Sequence, residues 1–361
     1  MNKFRISILL VSIISIITLL PSCGSNQDKD SNVVTGPAIP VTDSIGREVE
    51  VPEKVERIAA LYSFAGYAVC LLGGGHDLVA VPGGLKRDIL LVEMFPEVGE
   101  ASTPREGGTI NIEELLRIKP DLVIIRRDTV VDEKEQEKLD NTGIPYIVVD
   151  FSTMKQQQEA LLTIGKAIGR TEQAQKYNDY YNNVIDRVNE IVKDIPEEEK
   201  VRLLHSENQA TRATHETSLA ADWTRAAGVI NVSVGEDLEM YGNDYYASIE
   251  QILLWNPEVI IVNESAAHKL IMGHPQWSGI SAVRNNKVYQ LPNGISRWGH
   301  PGSVETPLAL LWTAKVVYPE KFTHIDMNEE VRYYYKTFFH MDLDDEMIET
   351  ILKGGDLRES K

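Results

Sequence analysis

Tyr62, Arg126, Arg212, Arg297 and Trp298 each follow a short run rich in β-branched residues, and Tyr241 precedes a later helix. Their chemistry is that of binding. Guanidinium forks make charge-assisted bonds to anions and aromatic faces stack on planar groups, so the set suits a large anionic or planar ligand. Asn263 and Glu264 follow another such run. A Trp in a loop is more often packing than contact, but Arg297 beside it turns the reading toward contact. Catalytic signatures are missing: the chain has no Gly-x-x-x-x-Gly-Lys loop, no Gly-x-Ser-x-Gly elbow and no His-Glu-x-x-His pair. Gly73-Gly74-Gly75 lacks the third glycine of a dinucleotide fingerprint and reads as a helix end and turn. The eight histidines show no paired ligand spacing, so neither a metal site nor an intrinsic cofactor is expected. A metal would arrive inside a chelate.

The ends of the chain bound where such binding takes place. Lys3 and Arg5 precede an apolar run from Ile6 to Leu20, which stops at Pro21-Ser22-Cys23. That run is shorter than the ~20 residues of a membrane-spanning helix and has the order of an export signal over residues 1–22. Its Leu-x-Ser-Cys ending resembles the lipobox of bacterial lipoproteins, which implies lipidation at Cys23 and a domain held outside the cytoplasm. Cys70 is then the only other cysteine, so the mature domain has no internal disulfide and must rely on its core. Residues 23–40 read as a flexible tether. The formal charge is −18, and losing Lys3 and Arg5 takes it to −20, which disfavours nucleic acid as a partner.

The elements that position these residues follow an α/β grammar. Arg57–Leu61, Leu78–Val81, Leu122–Ile125 and Tyr146–Val149 read as buried strands, with helical spacing over Asn111–Ile118 and Asp132–Asn141 between them. An N-terminal α/β lobe is therefore expected over residues 41–150. Residues 151–169 form a connecting helix, Gly169 breaks it, and a second helix runs from Thr171 to Lys193. Strand signals resume at Val201–His205, Val259–Val262 and Val288–Leu291, giving a C-terminal α/β lobe over residues 170–361.

One internal repeat ties the halves together. Ile112-Glu113-Glu114-Leu115-Leu116-Arg117-Ile118-Lys119-Pro120-Asp121 and the strand after it align without gaps, 137 residues apart, with Ile249-Glu250-Gln251-Ile252-Leu253-Leu254-Trp255-Asn256-Pro257-Glu258 and its strand. Each copy is a short helix with a glutamate in its first turn, a stop before proline, an acidic residue and a buried strand. Duplicated halves leave a cleft between them.

The connecting helix, the paired glutamate-proline-strand segments and the late run Pro307–Trp312 through Tyr318–Phe322 make the chain, over about residues 41–353, similar to the iron-complex and vitamin-B12 family of periplasmic binding proteins. That resemblance implies two α/β lobes joined by one long rigid helix, the class III architecture, with ligand in the cleft. It also implies that Glu113 and Glu250 meet arginines of an ABC permease that works with its ATPase. The bland alternative for each glutamate is stabilisation of its own helix N-terminus, by about 0.3 to 1 kcal/mol. The expectation is a monomeric, non-enzymatic binding subunit of an importer. Its cargo is a ferric siderophore, haem or corrinoid, or alternatively an oxyanion such as molybdate or tungstate. A two-lobed metalloenzyme is the rival from another class.

Overall fold

The computed structural model describes residues 36–355 and 357–359. The expected signal peptide, residues 1–22, and the expected lipidation site Cys23 lie outside the described residues. The chain enters through an antiparallel hairpin, β1 (Ala38–Thr42) with β2 (Glu48–Pro52), so pairing already begins within the stretch expected as tether. Its strands bury only Val41 and Val51 fully, and that is too weak an alternation to register as a strand signal.

The N-terminal sheet contains β3 (Ile58–Ala60) and β4 (Leu78–Ala80) and, after a small hairpin of β5 (Arg105–Glu106) and β6 (Thr109–Ile110), β7 (Leu122–Arg126) and β8 (Tyr146–Val149). Its order is β4-β3-β7-β8, all parallel. The C-terminal half contains β9 (Arg202–Ser206), β10 (Ile230–Asn231), a hairpin of β11 (Glu239–Tyr241) and β12 (Asp244–Tyr246), then β13 (Val259–Val262) and β14 (Val288–Gln290). Its sheet order, β10-β9-β13-β14, is again all parallel and topologically the same. Parallel strands are covered on both faces, which is why these segments read as unbroken apolar runs.

The 137-residue repeat recurs in structural detail. Helix Ile112–Ile118 is capped by Asn111 and helix Ile249–Trp255 by Ser248. Each helix ends on a left-handed residue at the equivalent position, Lys119 (φ 46°) and Asn256 (φ 42°), just before proline. The acidic residue also has a purpose in each copy. Asp121 accepts from the Glu56 and Arg57 amides, Glu258 accepts from the Arg202 amide, and Arg57 and Arg202 donate to the last carbonyls of the two helices. The carboxylate thereby fixes the start of the neighbouring strand, and the arginine satisfies orphan helix carbonyls.

The connector is helix Met154–Ala167, with Thr153 accepting from the Gln156 amide as its cap and Gly169 left-handed (φ 69°) just beyond its end. Helix Thr171–Val192 follows. Leu161 and Ile164 of the connector belong to one continuous buried cluster that includes Ile58 and Leu72 on one side and Tyr181, Trp223 and Leu311 on the other. The lobes thus share a core across the connector. A second tie was not expected. After the final helix, Asp345–Leu352, the chain returns to the N-terminal lobe, where Leu357 is buried, Arg358 pairs with the buried Asp88, and the Ile89 amide donates to the Leu357 carbonyl. The last residues of the segment assigned to the C-terminal lobe therefore pack on its partner, because Asp88 needs a cation there. Among the described residues no helix is long and apolar enough to cross a membrane.

Candidate functional site

Between the lobes lies an open cleft of about 880 Å³, walled by loops at the carboxyl ends of the strands of both sheets. The N-terminal wall carries Tyr62 after β3, Arg126 and Arg127 at the end of β7, and Asp150 and Phe151 after β8. Phe151 packs edge-on against Phe64 at 4.6 Å and beside Tyr62 at 6.3 Å, and the Arg126 guanidinium sits 5.6 Å over the Tyr62 ring. Burial, opposed by Arg126, pushes the Tyr62 phenol up to about 12, so it remains a neutral donor at physiological pH. Arg126 and Arg127 approach the single carboxylate of Asp150 at only 3.8 and 4.0 Å. These charges are loosely engaged and can turn toward a ligand.

The C-terminal wall is held more tightly. Arg212 Nη2 meets Glu207 at 3.0 Å and Asp244 at 2.7 Å, tying the loop after β9 to the β11–β12 hairpin. The Ala213 and Ala247 amides donate across the same seam to Tyr245 and Thr211. Burial raises the Glu207 carboxyl above its usual range while Arg212 opposes the rise. His215 stacks on Tyr245 with ring centroids 4.0 Å apart and planes 17° apart, and this platform lines the cleft with Met240.

Three of the residues expected at the ligand, Tyr62, Arg126 and Arg212, come together here; three do not. Trp298 is wholly buried, with its carbonyl accepting from Asn263, so it is a core residue and not a wall of the cleft. The cause is the fold of its loop, which Glu305 draws inward by accepting from the Ser296 amide and hydroxyl and from Tyr335. Arg297 pairs with Glu264 and donates to Asn208 at 2.9 Å beneath the cleft. Asn263, bonded to His205 and to the Trp298 carbonyl, is likewise internal. Burial lowers the His205 imidazole to about 4, so it stays neutral in that network. Tyr241 is exposed on the hairpin and bonded to Glu239, and because side chains alternate along a strand it is Met240, equally exposed, that lines the cleft.

The residues missed from sequence divide by signal. Asp150 and Phe151 directly follow β8, so the strand-end rule that located Arg126 reaches them too. His215 and Tyr245 lie 30 positions apart and meet only because the hairpin folds over the β9 loop, so no local pattern announces them. On the outer surface Glu113 and Glu250 are exposed at equivalent positions. Each is followed three residues on, hence on the same helix face, by an exposed leucine, Leu116 and Leu253, with Leu254 exposed beside the latter. Among the described residues no group of three or more His, Cys, Asp or Glu is placed to hold a metal ion.

Residues 67–294 match the family described as "Periplasmic binding protein". The molybdate-binding protein MolA of Haemophilus influenzae is 23% identical over 326 residues, covering 83% of this chain and 90% of that protein. Its molybdate-bound structure superposes with a TM-score of 0.76 at 20% identity, covering 85% of this chain and 99% of that one. An ABC transporter substrate-binding lipoprotein of Bacillus subtilis, YvrC, is 24% identical over 315 residues, or 84% of this chain and 94% of the relative. The high-affinity haem uptake protein IsdE of Staphylococcus aureus is 26% identical over 214 residues, 56% of this chain and 68% of the relative.

Proposed function

The chain belongs to the periplasmic binding protein family as an ABC-transporter substrate-binding protein, and from that premise we propose that its cargo is a large metal-containing complex held in the open cleft. The observation that carries this reading is the wall chemistry. A cleft of about 880 Å³ with Tyr62, Phe151 and the His215–Tyr245 platform offers stacking surface, and Arg126 and Arg127 are free to meet peripheral carboxylates or phenolates. In this reading the metal travels inside its chelate and the cleft binds the chelate's periphery. The partial likeness to a haem uptake protein supports this cargo class.

The second reading, a tetrahedral oxyanion, is favoured by the likeness to a molybdate-binding protein along most of both chains. Against it stands the charge of the cleft. Asp128, Asp132, Asp150, Glu207 and Asp244 face Arg126, Arg127 and Arg212, five carboxylates to three guanidinium groups, an excess that opposes a small dianion and is tolerated by a large complex whose charge is spread. Titration of the purified chain with haemin, a ferric siderophore, cobalamin and molybdate, followed by tryptophan fluorescence, separates the readings. Micromolar or tighter binding of a chelate is expected; molybdate binding alone overturns the proposal.

Delivery to the permease would use the exposed pair Glu113 and Glu250 with their neighbouring leucines, which the repeat presents as two like faces. Lipidation at Cys23 would hold the domain outside the cytoplasm, in keeping with the lipoprotein relative.

A further inference from the structure

Val131 and Met240 are apolar, 70% and 63% exposed, and stand on opposite walls of the cleft. Single exposed apolar side chains are ordinary on a protein surface, but two that line one cleft from different lobes share whatever fills it. Their near neighbours in sequence take the usual course. Val130 packs on the core of the N-terminal lobe and Leu238 on that of the C-terminal lobe, whereas neither Val131 nor Met240 joins a core cluster.

Local geometry places each of them. Helix Arg127–Val131 sets Val131 four residues after Arg127, one turn on and on the same face, so the wall that offers a guanidinium also offers a hydrocarbon edge. Met240 is the cross-strand partner of Tyr245 in the β11–β12 hairpin, so the two side chains share a face and Met240 extends the His215–Tyr245 platform. Tyr62, Phe151 and Tyr245 are half-buried in the cleft, and the exposed Val131 and Met240 stand at its mouth. A flat ligand stacked on Tyr245 meets Met240 beside it, and one held by Arg127 meets Val131 one turn on. Covering these two side chains favours binding in proportion to the apolar area removed from water. Only a ligand that is itself apolar at that edge gains by it, because a hydroxyl pressed there would lose water and find no partner.

We propose that Val131 and Met240 determine specificity, by selecting chelates that carry a hydrocarbon edge at the mouth of the cleft as well as anionic groups for Arg126 and Arg127. This inference rests on the chelate reading of the cleft and narrows it to amphiphilic chelates.

The test titrates the full chain with two porphyrins and follows the Soret absorbance. Haemin and ferric haematoporphyrin have the same iron and the same two propionates, and differ in that hydroxyethyl groups replace the two vinyl groups. The contribution of the arginines therefore cancels between them. Haemin is expected to bind about tenfold more tightly. In the double variant Val131→Thr with Met240→Gln, close in shape but polar, the preference should fall to about twofold or less, with the thermal midpoint unchanged because both side chains are exposed. Met240→Leu, which keeps the hydrocarbon and removes the thioether, should retain the preference. Equal affinity of the two porphyrins for the parent chain, a preference that survives in the double variant, or its loss in Met240→Leu overturns the inference and leaves the chelate reading standing. Binding of a hydrophilic ferric siderophore with no binding of either porphyrin does the same, whereas binding of no chelate at all removes both.

Discussion

Arg126 and Arg127 on the N-terminal wall share one carboxylate at 3.8 and 4.0 Å and stay 44% and 63% exposed, whereas Arg212 on the C-terminal wall is 18% exposed and gripped by two carboxylates at 3.0 and 2.7 Å. Both walls grow from sheets of the same strand order, yet one presents its charges and the other consumes them. The outer helices differ in the opposite way, keeping glutamate, leucine, cap and left-handed stop in register across 137 residues. A repeat is retained where both copies meet like surroundings. It diverges in the cleft, where the β11–β12 hairpin folds over the β9 loop and gives Arg212 its second carboxylate.

The contrast predicts that Trp298 and Arg212 of the second half act on the fold and that the arginines of the first half act on the ligand. Trp298→Ala should be the most damaging, costing about 3 to 5 kcal/mol of stability through a large core cavity, as read by urea denaturation. Ligand affinity of the folded fraction should hardly move. A binding defect with intact stability would return Trp298 to the cleft.

Arg212→Met should cost about 3 kcal/mol because it leaves Glu207 buried without its cation. Here pH gives a sharper reading. Burial already holds the Glu207 carboxyl above its ordinary value, and removing the opposing arginine raises it further. The folded state then binds a proton more readily than the unfolded chain, so stability is greatest at low pH and is lost as pH rises through the raised value. The deficit of the variant should be largest near pH 8 and narrow toward about pH 5. A deficit independent of pH would mean that Glu207 is not the stranded group.

Arg126→Ala with Arg127→Ala should weaken chelate binding by about 1 to 3 kcal/mol, by calorimetry, through lost charge-assisted bonds. Because both side chains are exposed, the thermal midpoint should stay within a degree or two of the parent value. Loss of stability without loss of affinity would erase the contrast between the walls. Least affected should be Tyr241→Ala, whose exposed ring contacts the hairpin alone; affinity and stability within about 0.5 kcal/mol of the parent are expected.

Legibility followed the range of the interactions. Tyr146–Val149 and Val259–Val262 were readable to the residue, since a buried parallel strand is an unbroken apolar run. The break at Gly169 and the restart at Thr171 were equally plain, because a left-handed glycine and a helix start are local events. The β1–β2 hairpin and the two-residue β10 escaped, having too little burial to shape the pattern. In the cleft, Tyr62, Arg126 and Arg212 followed from strand ends, whereas Trp298 and Arg297 met the same rule and were turned inward by Glu305 and Glu264.

By itself, then, the sequence determined the two parallel sheets, the connector and the duplicated outer helices, because periodicity, caps and proline stops act over a few residues. Only the tertiary structure decided which arginines remain available, which aromatic residues face the cleft, and that Arg358 returns to close on Asp88 270 positions away. Those choices rest on which buried charge finds which partner, and that pairing exists only once distant segments have packed together.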